Sequence, residues 1–325
     1  MTHKVDQCWA IHDGAAGNRR QAIALAEALG WGFEEKLSTP DAFSKCFAPR
    51  LVPFIKQPYG KAFTEAMQNP PAYVIGCGRQ AALATRLLKQ AGSFAIQILN
   101  PRLPSHHWDV VIAPKHDLVA GSNVISTVGS LHDVNSSSLQ RWRTQVSALT
   151  SLKSPRTLVL IGGPSRMALF NEGLIEIMFS KLEDELAMHG GSLIICGSRR
   201  TPKDIAQKIR GRFSDINFRV WFDESDGENI YHSALAHADQ IVLTPDSVNM
   251  ISEACATELP VFIAEPERAL GRMKIFLDHL LKLGRVQAQG KEMLPFSIAP
   301  LNTMPDVLEQ LKRFLQPEGR CLLRT

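Results

Sequence analysis

The sequence predicts an α/β protein of two successive Rossmann-like, doubly wound domains facing a cleft. Three observations point there. Short apolar runs alternate with stretches of helical periodicity along the chain, several of those runs lead directly into glycine turns, and the pattern stops once, in a Ser/Thr-rich stretch at 135–155, before starting again.

The first element comes from "CWAIHDGAAGNRRQAIALAEALG", where a strand ends at Ile11, a Gly-rich turn follows, and Ala22, Leu25, Ala26 and Leu29 recur at helical spacing. "AYVIGCGRQAALATRLLKQAG" repeats the scheme, with a strand over 72–75, a turn at 76–78 and a helix stopped near Gly92. Two strand-like runs follow at 94–99 and 109–113, and a helical segment at 139–149 leads into the junction. Beyond it, "TLVLIGGPS" is a strand and glycine turn, "LIEIMFSKLEDELAMHGG" a helix ended by glycine, and "SLIICGSRRTP" the next strand and loop. "FRVWF", "NIYHSALAHAD", "QIVLT", "SVNMISEACATE" and "LPVFIA" then alternate strand with helix. The expected division is 1–152 and 153–325, with a terminal amphipathic helix at about 304–316 able to pack back on the first domain.

At 325 residues, 45% hydrophobic and 21% charged, the chain can supply a core to each of two domains. Its longest apolar runs, 157–161 and 193–196, fall far short of the roughly 20 residues that span a bilayer. The opening "MTHKVDQCWAIHDG" lacks a signal-peptide pattern, so the expected location is the cytoplasm, at most against the inner face of the cytoplasmic membrane. Six scattered cysteines (Cys8, Cys46, Cys77, Cys196, Cys255, Cys321) form no C-x-x-C pair and read as reduced thiols. His106, His107 and His116 lack zinc-site spacing, so no metal site is expected. Of the +4 formal charge, residues 1–152 carry 15 Lys/Arg against 10 Asp/Glu, and 153–325 carry 21 against 22. A mildly basic first half suits an anionic substrate or membrane surface; nucleic-acid binding would bring a denser basic stripe.

Glycine turns after strands let the backbone approach a phosphate, and the helix start that follows offers free N–H groups and the positive end of a dipole. In the second half Gly162, Gly163 and Ser165 follow one strand, Ser198, Arg199 and Arg200 the next, and Asp246 and Ser247 a later one. In a parallel sheet these loops share one edge and converge on an anion such as a diphosphate. Either Asp246 or Ser247 suits a helix N-cap. Glu253, nearly two turns along, can accept hydrogen bonds from paired ribose hydroxyls; by periodicity alone it reads equally as an exposed helical Glu.

The order "TPDS", "ISEA", "ELPVFI" resembles the donor-site signature of GT-B glycosyltransferases, the group of the peptidoglycan N-acetylglucosaminyltransferase, in which a helical Glu binds the ribose of a nucleotide sugar. More closely, the chain resembles the bacterial branch of the mitochondrial-fission "elongated mitochondria" (ELM) family, grouped with GT-B glycosyltransferases. The resemblance rests on "DGAAGNRRQ", "GCGR", "QILNPR", "IGGPSR", "SRRTP" and "TPDSVNMISEACAT", which follow one another through nearly the whole chain. It implies a metal-independent transferase without cofactor, moving a sugar from a nucleoside diphosphate sugar to an unidentified acceptor, lipid-linked or an envelope glycan. Gly14, Gly17, Asn18, Gly78, Arg79 and Arg102 then fall on the acceptor side.

Such a reaction needs a base, and Asp13, in the first strand-to-helix loop, is the expected one, with His12 competing. The peptidoglycan enzyme has a histidine later in the corresponding loop, where this sequence has Asn18; Asp13 also suits an Asx-type turn before Gly14. "FAPRLVPFIKQPYGKAF" mixes Phe47, Leu51, Phe54, Ile55 and Phe63 with Arg50, Lys56 and Lys61, a composition suited to loop packing or to an anionic membrane. The plant members' association with recruiting a division protein implies a second class of function, a non-catalytic adaptor on the same scaffold. A dehydrogenase fits less well, because neither half carries a dinucleotide fingerprint.

Overall fold

A computed structural model describes residues 8–52, 54–55, 57–145, 149–213 and 217–315; Lys56 and Cys321 lie outside them. The chain divides into two compact units, one up to Asp133 together with the segment from Thr303, the other Val134–Asn302. Each holds a six-stranded sheet in which neighbouring strands run parallel.

In the first unit the strands are β1 (Cys8–His12), β2 (Phe33–Leu37), β3 (Tyr73–Cys77), β4 (Phe94–Ile98), β5 (Val110–Pro114) and β6 (Val124–Thr127), in the order β2-β1-β3-β4-β5-β6. Helices α1 (Ala16–Ala28), α2 (Ala42–Phe47), α3 (Gly60–Ala66) and α4 (Arg79–Ala91) connect them. Successive strand residues point to opposite faces, and both faces are apolar here. Ala10, Ile75, Ile96 and Ile112 pack with Leu25 of α1, while Ile11, Val74, Ala95 and Val111 pack with Ala81 and Leu88 of α4.

In the second unit α5 (Ser136–Arg143) precedes β7 (Arg156–Ile161), α6 (Glu172–His189), β8 (Ser192–Gly197), α7 (Lys203–Arg212) and β9 (Phe218–Trp221). Then come α8 (Tyr231–His237), β10 (Gln240–Leu243), α9 (Val248–Cys255), β11 (Val261–Ile263), α10 (Gly271–Lys282) and β12 (Gln287–Ala288), and the sheet runs β12-β11-β10-β7-β8-β9. Asn135 and Ser138 cap α5 reciprocally, and Trp142 of α5 stacks on His232 of α8 at 4.4 Å and 8°. That packing sets α5 with the second unit, so the division falls at Asp133, earlier than the 152 expected from the Ser/Thr-rich stretch. Helix α11 (Met304–Leu315) returns to the first unit, burying Val307 and Leu311 in the cluster that contains Leu25.

Strands β2, β6 and β12 are not expected from the sequence, and for β2 and β12 composition explains why. Phe33–Leu37 reads FEEKL, and Gln287–Ala288 is exposed and only two residues long; edge strands of this kind leave no continuous apolar run. Among the described residues no helix is long and apolar enough to cross a membrane.

Strand order positions the candidate sites. In the first sheet the chain moves outward one way from β1 to β2 and the other way from β3 to β6, so the order reverses between β1 and β3. In the second sheet it reverses between β7 and β10. At such a switch point the loops beyond the carboxyl ends of the two strands part and leave a crevice for ligand.

Candidate functional site

At the switch point of the second sheet the loops after β7, β8 and β10 are joined through one carboxylate. Asp246, 2% exposed, accepts from the Thr244 hydroxyl on Oδ1 at 2.6 Å and from the Gly163 N–H on Oδ2 at 2.9 Å. Arg200 Nη2 donates to Oδ2 at 2.8 Å, while Nη1 donates to the Gly163 carbonyl at 3.0 Å. A buried carboxylate needs this much compensation: desolvation costs several kcal/mol, of order, unless a charge and hydrogen bonds replace water. Thr244 also accepts the Gly162 N–H at 2.8 Å, and the Thr201 hydroxyl donates to the Gly162 carbonyl at 2.6 Å.

The two glycines follow from this arrangement. A Cβ on Gly162 would strike the Asp246 carboxylate, and one on Gly163 would strike the Arg200 carbonyl. Both φ angles lie outside the left-handed region, so it is close approach that requires glycine here. The cap of α9 belongs to Ser247, whose hydroxyl accepts the Met250 N–H at 3.4 Å, while Asp246 turns to the β7 loop. Ser165 accepts the Met167 N–H at 3.1 Å. Ser198 accepts the Arg200 N–H at 3.2 Å, and Arg199 is exposed on the same loop.

Glu253 is 4% exposed, which sets aside the reading of it as a surface residue. Its Oε2 accepts a hydrogen bond from the Tyr231 hydroxyl of α8. Sequence reasoning missed Tyr231, Thr201 and Thr244. The two threonines sit inside "SRRTP" and "TPDS", so their position next to the flagged residues was the available signal; Tyr231 carried none.

In the first unit the loops after β1 and β3 meet at their switch point. Asp13 accepts from Asn18 Nδ2 at 2.9 and 3.1 Å and from the Ala15 N–H at 3.1 Å, which makes it both an Asx-type turn and a carboxylate held at the start of α1. Gly78, at φ +89°, has no room for a Cβ: it would strike Asn18 Nδ2 and lie 3.3 Å from Asp13 Oδ2. Asp13, Asn18 and Gly78 therefore come together. His12 is 3% exposed and engaged through both nitrogens. Its Nδ1 accepts the Gly14 N–H at 3.1 Å, which leaves Nε2–H to donate to Glu35 Oε1 at 2.9 Å. Arg19 forks the same carboxylate at 2.6 and 2.7 Å and, with His12 adding to it, holds Glu35 down to about 2. Burial, reinforced by Asp13, pushes the neighbouring Cys77 thiol well up, so it is no nucleophile.

The remaining acceptor-side residues are apart from that cluster in role. Gly14 adopts φ +83°, and Gly17 lies within α1, its carbonyl accepting from Gln21. Arg79 donates to the carbonyls of Lys45 and Cys46, both at 3.1 Å, and so anchors the end of α2. Arg102 has φ +58° on the loop after β4, its N–H donating to Asn100 Oδ1 at 2.8 Å. Among the described residues no group of three or more His, Cys, Asp or Glu could hold a metal ion.

Comparison with known proteins matches residues 16–315 to the family model described as "Mitochondrial fission ELM1". The mitochondrial fission protein ELM1 of Arabidopsis thaliana is 28% identical over 288 residues, 78% of this chain; the match spans 66% of that protein, less than two thirds. An uncharacterized protein of Rickettsia prowazekii (strain Madrid E) is 28% identical over 94% of this chain and 97% of its own length. Among solved structures, the UDP-GlcNAc 2-epimerase of Methanocaldococcus jannaschii superposes with a TM-score of 0.59 at 13% identity, covering 94% of this chain and 99% of that one. MnaA of S. aureus, solved with UDP, gives 0.50 at 15% identity over 95% and 96%, and a glycosyltransferase of Rickettsia africae ESF-5 gives 0.51 at 11% over 97% and 100%. At these identities the likeness shows the fold: two Rossmann-like units, as in GT-B glycosyltransferases and the UDP-GlcNAc 2-epimerase.

Proposed function

Because the chain belongs to the mitochondrial fission ELM1 family and carries a GT-B-like fold, we propose that it binds a nucleoside diphosphate sugar on its second unit and transfers the sugar to an acceptor hydroxyl. The observation that carries this reading is the convergence, on Asp246, of three loops at the second sheet's switch point. It supports a preformed edge of amides, hydroxyls and guanidinium groups suited to two phosphates. In this reading the amides of the Gly162–Gly163–Ser165 loop, the Ser198 hydroxyl, the α9 start at Ser247 and Arg199 receive the diphosphate. Arg200 positions the glycine loop through Asp246. Glu253, oriented by Tyr231, takes the ribose hydroxyls. The same donors stabilise the departing diphosphate without a cofactor. UDP-bound relatives of the fold support this ligand class, at the level of fold.

Asp13 is assigned as the base on the acceptor side. His12, its nitrogens taken by Gly14 and Glu35, fits as the residue that fixes the loop. The acceptor class we favour is lipid-linked, with the protein resting on a membrane through the first unit.

Membership of the mitochondrial fission ELM1 family supports a second reading, a non-catalytic adaptor on the same scaffold. Thermal shift with UDP, GDP and CMP, paired with assay of nucleoside diphosphate release from the matching sugars, separates the two. Stabilisation that Glu253→Ala removes, with release on addition of acceptor, is expected. No response to any nucleotide overturns the transferase reading and supports the adaptor.

A further inference from the structure

The first unit contains a pocket of about 280 Å³ at the ends of β1 and β2, lined chiefly by Trp9, Ile11, Leu37, Tyr59, Phe63 and Ala84. Its lining is mostly apolar, which suits an apolar guest. Its wall is held rather than collapsible: the Tyr59 hydroxyl donates to the Gln80 carbonyl at 2.7 Å, and the Tyr59 and Phe63 rings pack tilted at 38° with centres 4.7 Å apart. Polar groups at its lining come from Lys36, Ser38 and Thr39, the Lys36 ammonium standing 4.8 Å over the Trp9 ring. The volume is near the lower end of the roughly 300–1,000 Å³ typical of ligand sites, too small for a nucleotide sugar and suited to part of a hydrocarbon chain.

A second observation lies in the chain that follows Leu37. Leu37, which lines the pocket, is also 58% exposed, and the segment after it exposes Phe43, Phe47, Leu51 and, at 93%, Phe54. Large apolar side chains exposed together in one short segment mark an interaction surface. From Phe43 to Phe54 the charges among the described residues are cationic, while Glu34 and Glu35, exposed before Leu37, are engaged by Lys36 and Arg19. Lys45 and Arg50 are exposed with no ion-pair partner among the described residues, and Arg79 and Arg86 donate to carbonyls of the same segment at Lys45, Cys46 and Pro49. Asp41 is the acidic residue in it, and its carboxylate is occupied capping α2. Aromatic side chains that enter acyl chains, flanked by cations that meet anionic headgroups, complement one partner surface: an anionic bilayer.

We propose that this face of the first unit docks on anionic membranes, with Phe43, Phe47 and Phe54 entering the lipid and the Trp9–Tyr59–Phe63 pocket seating a hydrocarbon chain. The proposal rests on the transferase reading only for the class of acceptor that would arrive there. Docking is measured without nucleotide, so its failure leaves sugar transfer standing, and failure of nucleotide binding leaves docking standing.

The test is co-sedimentation of the full chain with vesicles of phosphatidylglycerol and phosphatidylcholine, against phosphatidylcholine alone. Binding to the anionic vesicles only, falling as salt rises, is expected. The double variant Phe47→Ser/Phe54→Ser should bind at least roughly thirtyfold less while keeping its circular dichroism, since two large exposed rings no longer enter the lipid. The pocket is read separately, with lipids brominated on the acyl chain: quenching of tryptophan fluorescence is expected in the wild type and should shrink in Trp9→Phe. No binding to anionic vesicles, or binding indifferent to the double variant, overturns the docking face. Quenching unchanged by Trp9→Phe overturns the pocket.

Discussion

Arg200 and Asp246 form an ion pair at 2.8 Å in which the carboxylate side chain is fully buried and the guanidinium is 41% exposed. The asymmetry decides what each residue can do. Asp246 has no route to a ligand except through what it holds, whereas Arg200 presents a solvated flank beside the glycine loop. We therefore predict that Asp246→Asn, which keeps the size and loses the charge, destabilises the second unit by about 1–3 kcal/mol, less than a fully buried pair would cost because Arg200 regains water. Arg200→Ala should cost less, and the double variant less than the sum of the two, a coupling readable from urea midpoints. Additive effects would show that the two residues do not act as one latch.

Gly163→Ala tests the close approach itself. A Cβ there meets the Arg200 backbone carbonyl, and a backbone atom cannot swing away as a side chain can. The loop must shift, breaking the Gly163 N–H bond to Asp246, so a loss of roughly 1–3 kcal/mol is expected together with loss of nucleotide-induced stabilisation. Wild-type melting and an unchanged nucleotide shift would show that the loop has slack.

How far the sequence alone carried these conclusions depends on how far apart the cooperating residues are. The strand, glycine turn and helix starting at Thr157 are local, and period and turn chemistry reveal them. Asp246 is 83 positions from the amide it accepts, and no local pattern reports that, so it reads as a helix cap beside Ser247. Glu253 is ambiguous for the same reason: an eight-residue helix offers too few turns to show which face is buried, and its Tyr231 partner lies on another helix. The edge strand FEEKL was illegible because Glu35 serves Arg19 and His12 rather than a core.

Tyr231→Phe separates orientation from contact at Glu253. Removing the hydroxyl leaves the buried carboxylate without that donor but keeps its charge and reach. If Glu253 grips the ribose, nucleotide affinity should fall by roughly fivefold to tenfold in Tyr231→Phe, the net value of about one hydrogen bond, and further in Glu253→Gln. Titration calorimetry with the nucleotide found by thermal shift gives both numbers; equal affinity in all three proteins removes Glu253 from the site.

Asp13→Asn addresses chemistry without folding, because the amide can still accept from the Ala15 N–H while losing the charge a base requires. Transfer should fall by roughly 10²–10⁴-fold with donor affinity unchanged, and unaltered turnover would sink the base assignment.

Acid stability should report the His12–Glu35–Arg19 cluster. The Arg19 fork, aided by His12, lowers the Glu35 carboxyl from 4.5 to about 2. A carboxylate whose folded value is depressed contributes stability above its unfolded value and loses it as pH falls through the folded one. The contribution is therefore complete above about pH 4.5, shrinks below it and is gone near pH 2, a window that follows from the shift itself. Because Glu35 is partly exposed, the effect is modest and screened by salt. Urea midpoints of the wild type and Glu35→Gln, compared from neutral pH downward at low salt, should differ most at neutral pH and converge toward pH 2. A constant gap across that range would place the stabilisation in packing rather than in charge.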